Sequence, residues 1–231
     1  KNVQMRIGID IDTIRNINEK AVKCYESEYR TTVDAKENKS IEDIDLEKDL
    51  KFKSEKERKE FFMETYSYEI YGCANPFTRN LSRDFGMWLN FIHELNLKKI
   101  KIPKKSLWEK IKFFTPKKQI SKEEINVGLV GVMASEPIIG STYFFLSKIA
   151  CRCREIFMPI HSEDTFDKYD VVITSNPRLI KNKPSDKILI IIKHKYNKKY
   201  WNKADLTYDN LEDIFSEKDK FFGKLFKKIN N

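Results

Sequence analysis

The chain is short of the residues that break up a fold: seven glycines and seven prolines in 231 positions. Long disordered linkers are therefore not expected. There is no Gly-rich phosphate loop, no G-x-S-x-G and no H-E-x-x-H, which removes the P-loop, nucleophile-elbow and zincin chemistries. No apolar run approaches the roughly 20 residues that cross a bilayer. The longest runs, Val127–Met133 and Ile188–Ile192, have the length of buried strands. The start, "KNVQM", shows no signal peptide. Four cysteines form no framework, because Cys151-Arg-Cys153 is C-x-C rather than C-x-x-C, and Cys24 and Cys73 stand alone. Buried free thiols in a reducing compartment are the reading. Histidine is scarce as well. His93 falls on the solvent side of a helical stretch, and His161-Ser162-Glu163-Asp164 reads as a solvated turn before it reads as a metal loop.

Charge is present in excess of one sign. The formal net charge is +9, and the stretch 98–122, "KKIKIPKKSLWEKIKFFTPKKQISK", carries ten Lys and one Glu, so the remainder sums to zero. Lys98, Lys99, Lys101, Lys104 and Lys105 lead into Trp108. Lys112, Phe113, Phe114, Lys117 and Lys118 follow it. Such a stretch meets nucleic acid, an acidic protein surface or anionic lipid, or it is a solvated lysine-rich insertion. The basic loop after residue 193 carries His194, Tyr196, Tyr200 and Trp201, which stack on a base or a partner or cover the end of a sheet.

Periodicity places the elements. Residues 5–11 read as a buried strand, and 14–30 as a helix. Ser54-x-x-Glu57 predicts a capping box opening a helix to about Ile70, ended by Gly72. Residues 78–95 put Leu81, Phe85, Trp88, Phe91 and Leu95 on one helical side. Strands follow at 125–133, 155–160, 169–176 and 187–193, with a helix at 138–151 that has Pro137 in its first turn. Pro177 begins a loop, and a closing helix at 210–229 has Asp209 as its N-cap. This alternation predicts an α/β fold: a three-layer, Rossmann-like parallel sheet with helices on both faces. The expected organisation is an α/β core from 1–30 and 78–231, a helical cap-like insertion at 31–77 and the basic insertion at 98–124. Ligands of such sheets bind at the carboxyl ends of strands, where Asp10 and Asp12 fall.

An apolar strand ending D-x-D, then a helix-rich stretch and a second strand, resembles the haloacid dehalogenase superfamily. "RIGIDID", "SYEIYG" and "YDVVITSNP…KP" look like small phage and bacterial members of the 5′-nucleotidase type. The resemblance covers Met5–Gly72 loosely and Val127–Leu211 more clearly, and it leaves out the basic insertion. It implies that Asp10 is a nucleophile forming an aspartyl phosphate, and that Asp12 acts as acid and then base. Ser135 would hold phosphate, with a basic partner among Lys148, Arg152, Arg154 and Lys168. Magnesium would sit on Asp10, Asp12 and Asn176.

The sequence departs from the family pattern in two places. Asp10-Ile11-Asp12-Thr13-Ile14 lacks the residue, commonly Gly, that usually follows the second Asp. The strand ending Thr174-Ser175-Asn176 also lacks the late acid, because Asp170 sits at that strand's start. Two expectations follow. One is a degenerate member acting as a structural or interaction module, docked through 98–122 to proteins of a larger assembly such as a phage particle, or to nucleic acid, in a bacterial cytoplasm. The other is a magnesium-dependent phosphomonoesterase acting on nucleotides, with 31–77 as its lid.

Overall fold

The computed structural model describes residues 4–15, 17–33, 44–46, 48–97, 124–131 and 135–229. The basic stretch 98–122, with every docking residue expected there, lies outside them.

Six strands form one parallel sheet in the order β3-β2-β1-β4-β5-β6. They are β1 (Gln4–Asp10), β2 (Glu124–Val130), β3 (Ile156–Phe157), β4 (Val171–Thr174), β5 (Ile188–Ile192) and β6 (Leu206–Tyr208). The helices are α1 (Ile11–Arg15), α2 (Ile17–Tyr29), α3 (Glu55–Glu60), α4 (Ser67–Tyr71), α5 (Pro76–Leu97), α6 (Glu136–Lys148), α7 (Asp164–Lys168), α8 (Pro177–Lys181), α9 (Leu211–Ser216) and α10 (Lys218–Ile229). A π-helical turn, Phe61–Thr65, joins α3 to α4, and a 3₁₀ turn spans Lys195–Lys203. The α/β class and the parallel, Rossmann-like sheet expected from the alternation are what the chain adopts.

Period-two alternation sorts the strand residues between two cores. Ile7, Ile9, Val171, Ile173, Ile190 and Ile192 face a layer holding Leu81, Phe85, Trp88, Phe145, Phe215, Phe221 and Phe222. Val130, Val172, Leu189 and Ile191 face Phe166, Tyr169, Leu179 and Ile180. Burial on both faces explains why β5 reads as an unbroken apolar run. Trp88 is the centre of the larger core. It is fully buried, stacks on Phe222 at 5.7 Å and lies 5.8 Å from Phe221.

A third cluster stands apart from the sheet: Ala21, Val22, Tyr25, Ile44, Leu50, Phe61, Phe62, Ile70, Tyr71 and Ile138. It shows that α2 packs with the cap segment, although the sequence reading grouped it with the core. Ser54 Oγ accepts from Glu57 N at 3.1 Å, as the capping signature requires.

Several boundaries differ from expectation. The first helix is two, α1 and α2. The closing helix is also two, α9 and α10, and the N-cap of α9 is Asn210, whose Oδ1 accepts from Asp213 N at 2.8 Å. Asp209 instead pairs with Lys193 at 2.6 Å. Pro177 opens α8 rather than a loop, because Asn176 caps that helix. β6 and the 3₁₀ turn were not foreseen.

Two glycines make a close approach possible. Gly8 and Gly128 are register partners on β1 and β2, and the Tyr169 ring lies across both. Tyr169 Oη donates to Glu155 Oε1 at 3.2 Å. A Cβ on Gly128 would collide with that phenol oxygen, and one on Gly8 would come within 2.8 Å of the ring. Gly128→Ala is expected to destabilise the fold by about 1–3 kcal/mol in urea unfolding, since a paired strand has nowhere to move. Tyr169→Phe, which removes the colliding oxygen, should recover part of that loss. Purely additive costs would show that Tyr169 is not the obstacle.

Candidate functional site

The order β3-β2-β1-β4-β5-β6 reverses direction beside β1, so the topological switch point lies between β1 and β4. The carboxyl ends of these strands and the helical cap enclose a cleft of about 250 Å³. Asp12, Thr13, Ser175, Asn176, Arg178, His194, Tyr196 and Asn210 line it from the sheet side. Ile44, Asp45, Arg58, Phe62, Met63 and Tyr71 line it from the cap.

Asp10 is the last residue of β1 and is completely buried. Its Oδ2 accepts from Thr174 Oγ1 at 2.6 Å, and its Oδ1 from the Asp12 amide at 3.0 Å. Burial, then the neighbouring Asp12 charge, pushes its carboxyl up to about 7. The Thr174 hydroxyl, the Asp12 amide and Arg15 oppose that rise without cancelling it.

Asp12 lies in the first turn of α1 and lines the cleft. Its partner is Arg15, one helical turn on and fully buried. Arg15 Nε and Nη2 both reach Asp12 Oδ1, at 2.8 and 2.5 Å. Arg15 Nη1 donates to the Tyr71 carbonyl at 3.1 Å and to Thr142 Oγ1 at 2.6 Å, and the guanidinium lies 4.9 Å from the Tyr71 ring centre. One side chain thus binds the β1 end, the cap and α6 together. Beside it, burial and the Arg15 charge lower Lys20 to about 8, and its Nζ donates to the Cys73 carbonyl.

The β4 end is closed in the same way. Asn176 N donates to Thr174 Oγ1 at 2.9 Å, and Ser175 N to Thr13 Oγ1 at 3.1 Å. Asn197, fully buried in the 3₁₀ turn, donates to the carbonyls of Ser175 and Ile192 at 3.0 and 2.9 Å. Its Oδ1 accepts from His194 N and Trp201 Nε1. His194 stacks on Tyr196 at 5.1 Å, forming part of the cleft wall.

Asp10, Asp12 and Asn176 therefore lie together at the switch point. Ser135 does not line the cleft. It stands at the N-cap position of α6 without a capping bond, and its buried Oγ has no partner among the described residues. Lys148 is misplaced for the basic role. It lies in the last turn of α6, about 18 Å along the axis from the helix start, with its ammonium over the Phe144 ring. Lys168 pairs with Glu155 at 2.9 Å just before β4, and Arg152 and Arg154 precede β3, all at the amino edge of the sheet. Asp170 is also at that edge, where it accepts from Arg6 N. The base at the carboxyl pair is Arg15. Its sequence signal was an Asp–Arg pair three apart, Asp12 and Arg15, in the turn after β1.

Magnesium asks for near-octahedral oxygen ligands, and most of the oxygens here already have protein partners. Both Asp10 oxygens accept protein hydrogen bonds, and Asp12 Oδ1 faces a guanidinium. Asn176 Oδ1 caps α8 by accepting from Arg178 N at 2.9 Å. Among the described residues no group of three His, Cys, Asp or Glu side chains is placed to hold a metal, and no described helix is long and apolar enough to cross a membrane.

Comparison with protein-family models, with curated proteins and with solved structures found no match.

Proposed function

We propose that the chain is a degenerate haloacid-dehalogenase-like protein that works as a binding and interaction module rather than as a phosphatase. The observation that carries this reading is the buried Arg15 fork on Asp12. A fixed internal cation stands on Asp12, where a dissociable one would otherwise be called for. Asp10 supports the same reading. A nucleophile must reach a phosphorus atom, and Asp10 has no exposed surface. The electrostatic stabilisation that dominates phosphoryl transfer also lacks its late acid, since β4 ends in Thr174, Ser175 and Asn176. The cleft remains as a site for a small ligand, and the lysine-rich stretch 98–122 is the proposed docking element toward a larger assembly.

One observation favours a phosphomonoesterase instead: the carboxylate pair sits at the switch point beside a capped cleft. Magnesium-dependent hydrolysis of a panel of nucleoside monophosphates, with Asp10→Asn protein as control, separates the two. The expected result is no turnover above the control at high protein concentration. Turnover that disappears in Asp10→Asn overturns the binding-module reading.

A further inference from the structure

Outside 98–122 the charges cancel only in sum, and the sum hides a second concentration of base. Residues 178–203 carry nine basic side chains and one acid, Asp186. The fold divides the lysines among them. Lys183 pairs with Asp205 at 2.9 Å, Lys187 with Asp170 at 3.3 Å and Lys193 with Asp209 at 2.6 Å. Lys195 shares a groove with Lys48, Asp45 and Asp49. Lys181, Lys198, Lys199 and Lys203 are left, all exposed and none ion-paired among the described residues. Asp45 and Asp49 share the groove with Lys198 and Lys199, but Lys48 holds Asp45 at 3.0 Å.

Lys181, Lys199 and Lys203 share one face, and Lys198 lines the groove beside Lys199. Lys181 and Lys199 lie 5.8 and 4.9 Å from the Tyr200 ring centre, and Lys203 Nζ reaches the Lys181 carbonyl at 3.4 Å. Burial pushes the Tyr200 phenol up, but hydrogen bonds from Lys199 and Lys181 outweigh it and hold the phenol below its usual value. Two ammoniums thus gather around one half-exposed ring, and their charge is open to an anion that approaches this face.

We propose that α8 and the Lys195–Lys203 turn form a docking surface for the phosphodiester backbone of a nucleic acid, engaged without base specificity. Lysine is depleted from protein–protein interfaces, where its strong hydration is a cost. A membrane surface would draw on exposed apolar side chains, and the large ones among the described residues, Tyr68, Met87, Tyr143, Phe144 and Ile160, belong to neither element. A phosphate backbone asks only for spaced ammoniums, and released counterions drive the association. The surface is separate from 98–122 in sequence, and the inference holds whether or not the cleft hydrolyses anything.

The test is fluorescence anisotropy with the full chain and labelled DNA and RNA duplexes of about 20 base pairs, across about 50–300 mM salt. The wild-type chain is expected to bind. The variant K181Q/K198Q/K199Q/K203Q is expected to flatten the slope of log Kd against log salt by about 3–4, near 0.9 per lost phosphate contact. Four scattered changes, K23Q/K56Q/K220Q/K227Q, should leave the slope as it is. The DNA and RNA arms tell which duplex is preferred. An unchanged slope in the first variant assigns binding elsewhere and overturns the proposal. So does a wild-type chain that ignores both duplexes, or one that takes only an acidic peptide or phosphatidylglycerol vesicles.

Discussion

Arg15→Met is expected to destabilise the protein by about 3–5 kcal/mol, the range for removing one partner of a buried ion pair. The side chain of Arg15 is 1% exposed and that of Asp12 14%, so the orphaned carboxylate has little water to turn to. Asp10 lies two residues away and raises the local negative potential further. The Tyr71 carbonyl and the Thr142 hydroxyl lose their donor in the same stroke. Adding Asp12→Leu should recover most of the loss, because a pair replaced by apolar groups of similar volume is often close to neutral. The double-mutant cycle, read by urea unfolding, isolates the coupling. A cost under about 1 kcal/mol for Arg15→Met would falsify the view that this ion pair organises the site.

Asp10→Asn should do the reverse, and its effect should depend on pH. An unfolded aspartate titrates near 3.8, whereas the folded Asp10 carboxyl titrates near 7. Between these values the folded chain holds a proton that the unfolded chain has lost, so stability falls as pH rises. The cost is absent below about pH 4 and complete above about pH 7. Three units at roughly 1.4 kcal/mol each put its upper bound at about 4 kcal/mol. Asparagine cannot ionise, so the variant should gain stability at pH 8 and nothing at pH 4. Its amide also has to face the Thr174 hydroxyl or the Asp12 amide, which trims the gain. Unfolding free energies at pH 4, 6 and 8 check this. A difference that does not vary with pH would mean that Asp10 is already ionised across the range.

The sheet was legible because its strands are Ile- and Val-rich runs with period-two burial, and the Ser54 cap because the box is a local signal. β6 was not legible. Leu206–Tyr208 is three residues long, and only pairing with Ile190–Ile192 makes it a strand. α8 is hidden in the sequence because Pro177 signals a loop as readily as a first helical turn, and Asn176 beside it is the cap that decides. At the site, the D-x-D pair pointed to the right place. Asn197 did not stand out, because its role depends on Ser175, 22 residues distant, and the Asp12–Arg15 spacing alone did not show that Arg15 is buried against Thr142, 127 residues on. Periodicity sees neighbours along the chain, and buried polar networks are assembled across it. Lys148 shows the converse: a basic residue at a plausible position in the sequence that the direction of α6 carries to the wrong end.

The two outermost strands are the shortest in the sheet: Ile156–Phe157 at one margin and Leu206–Tyr208 at the other. A margin of two or three residues offers a foreign β-strand almost no ladder to extend. β1 and β5 lie behind them with neighbours on both sides, and the part of β2 that β3 does not reach is covered at Ile125 by the Asn96 side chain, which accepts from Ile125 N and donates to its carbonyl. Fibril-like self-association through this sheet therefore requires prior loss of β3 or β6. The aggregation tendency of the protein should track fraying of those two short segments rather than its global unfolding.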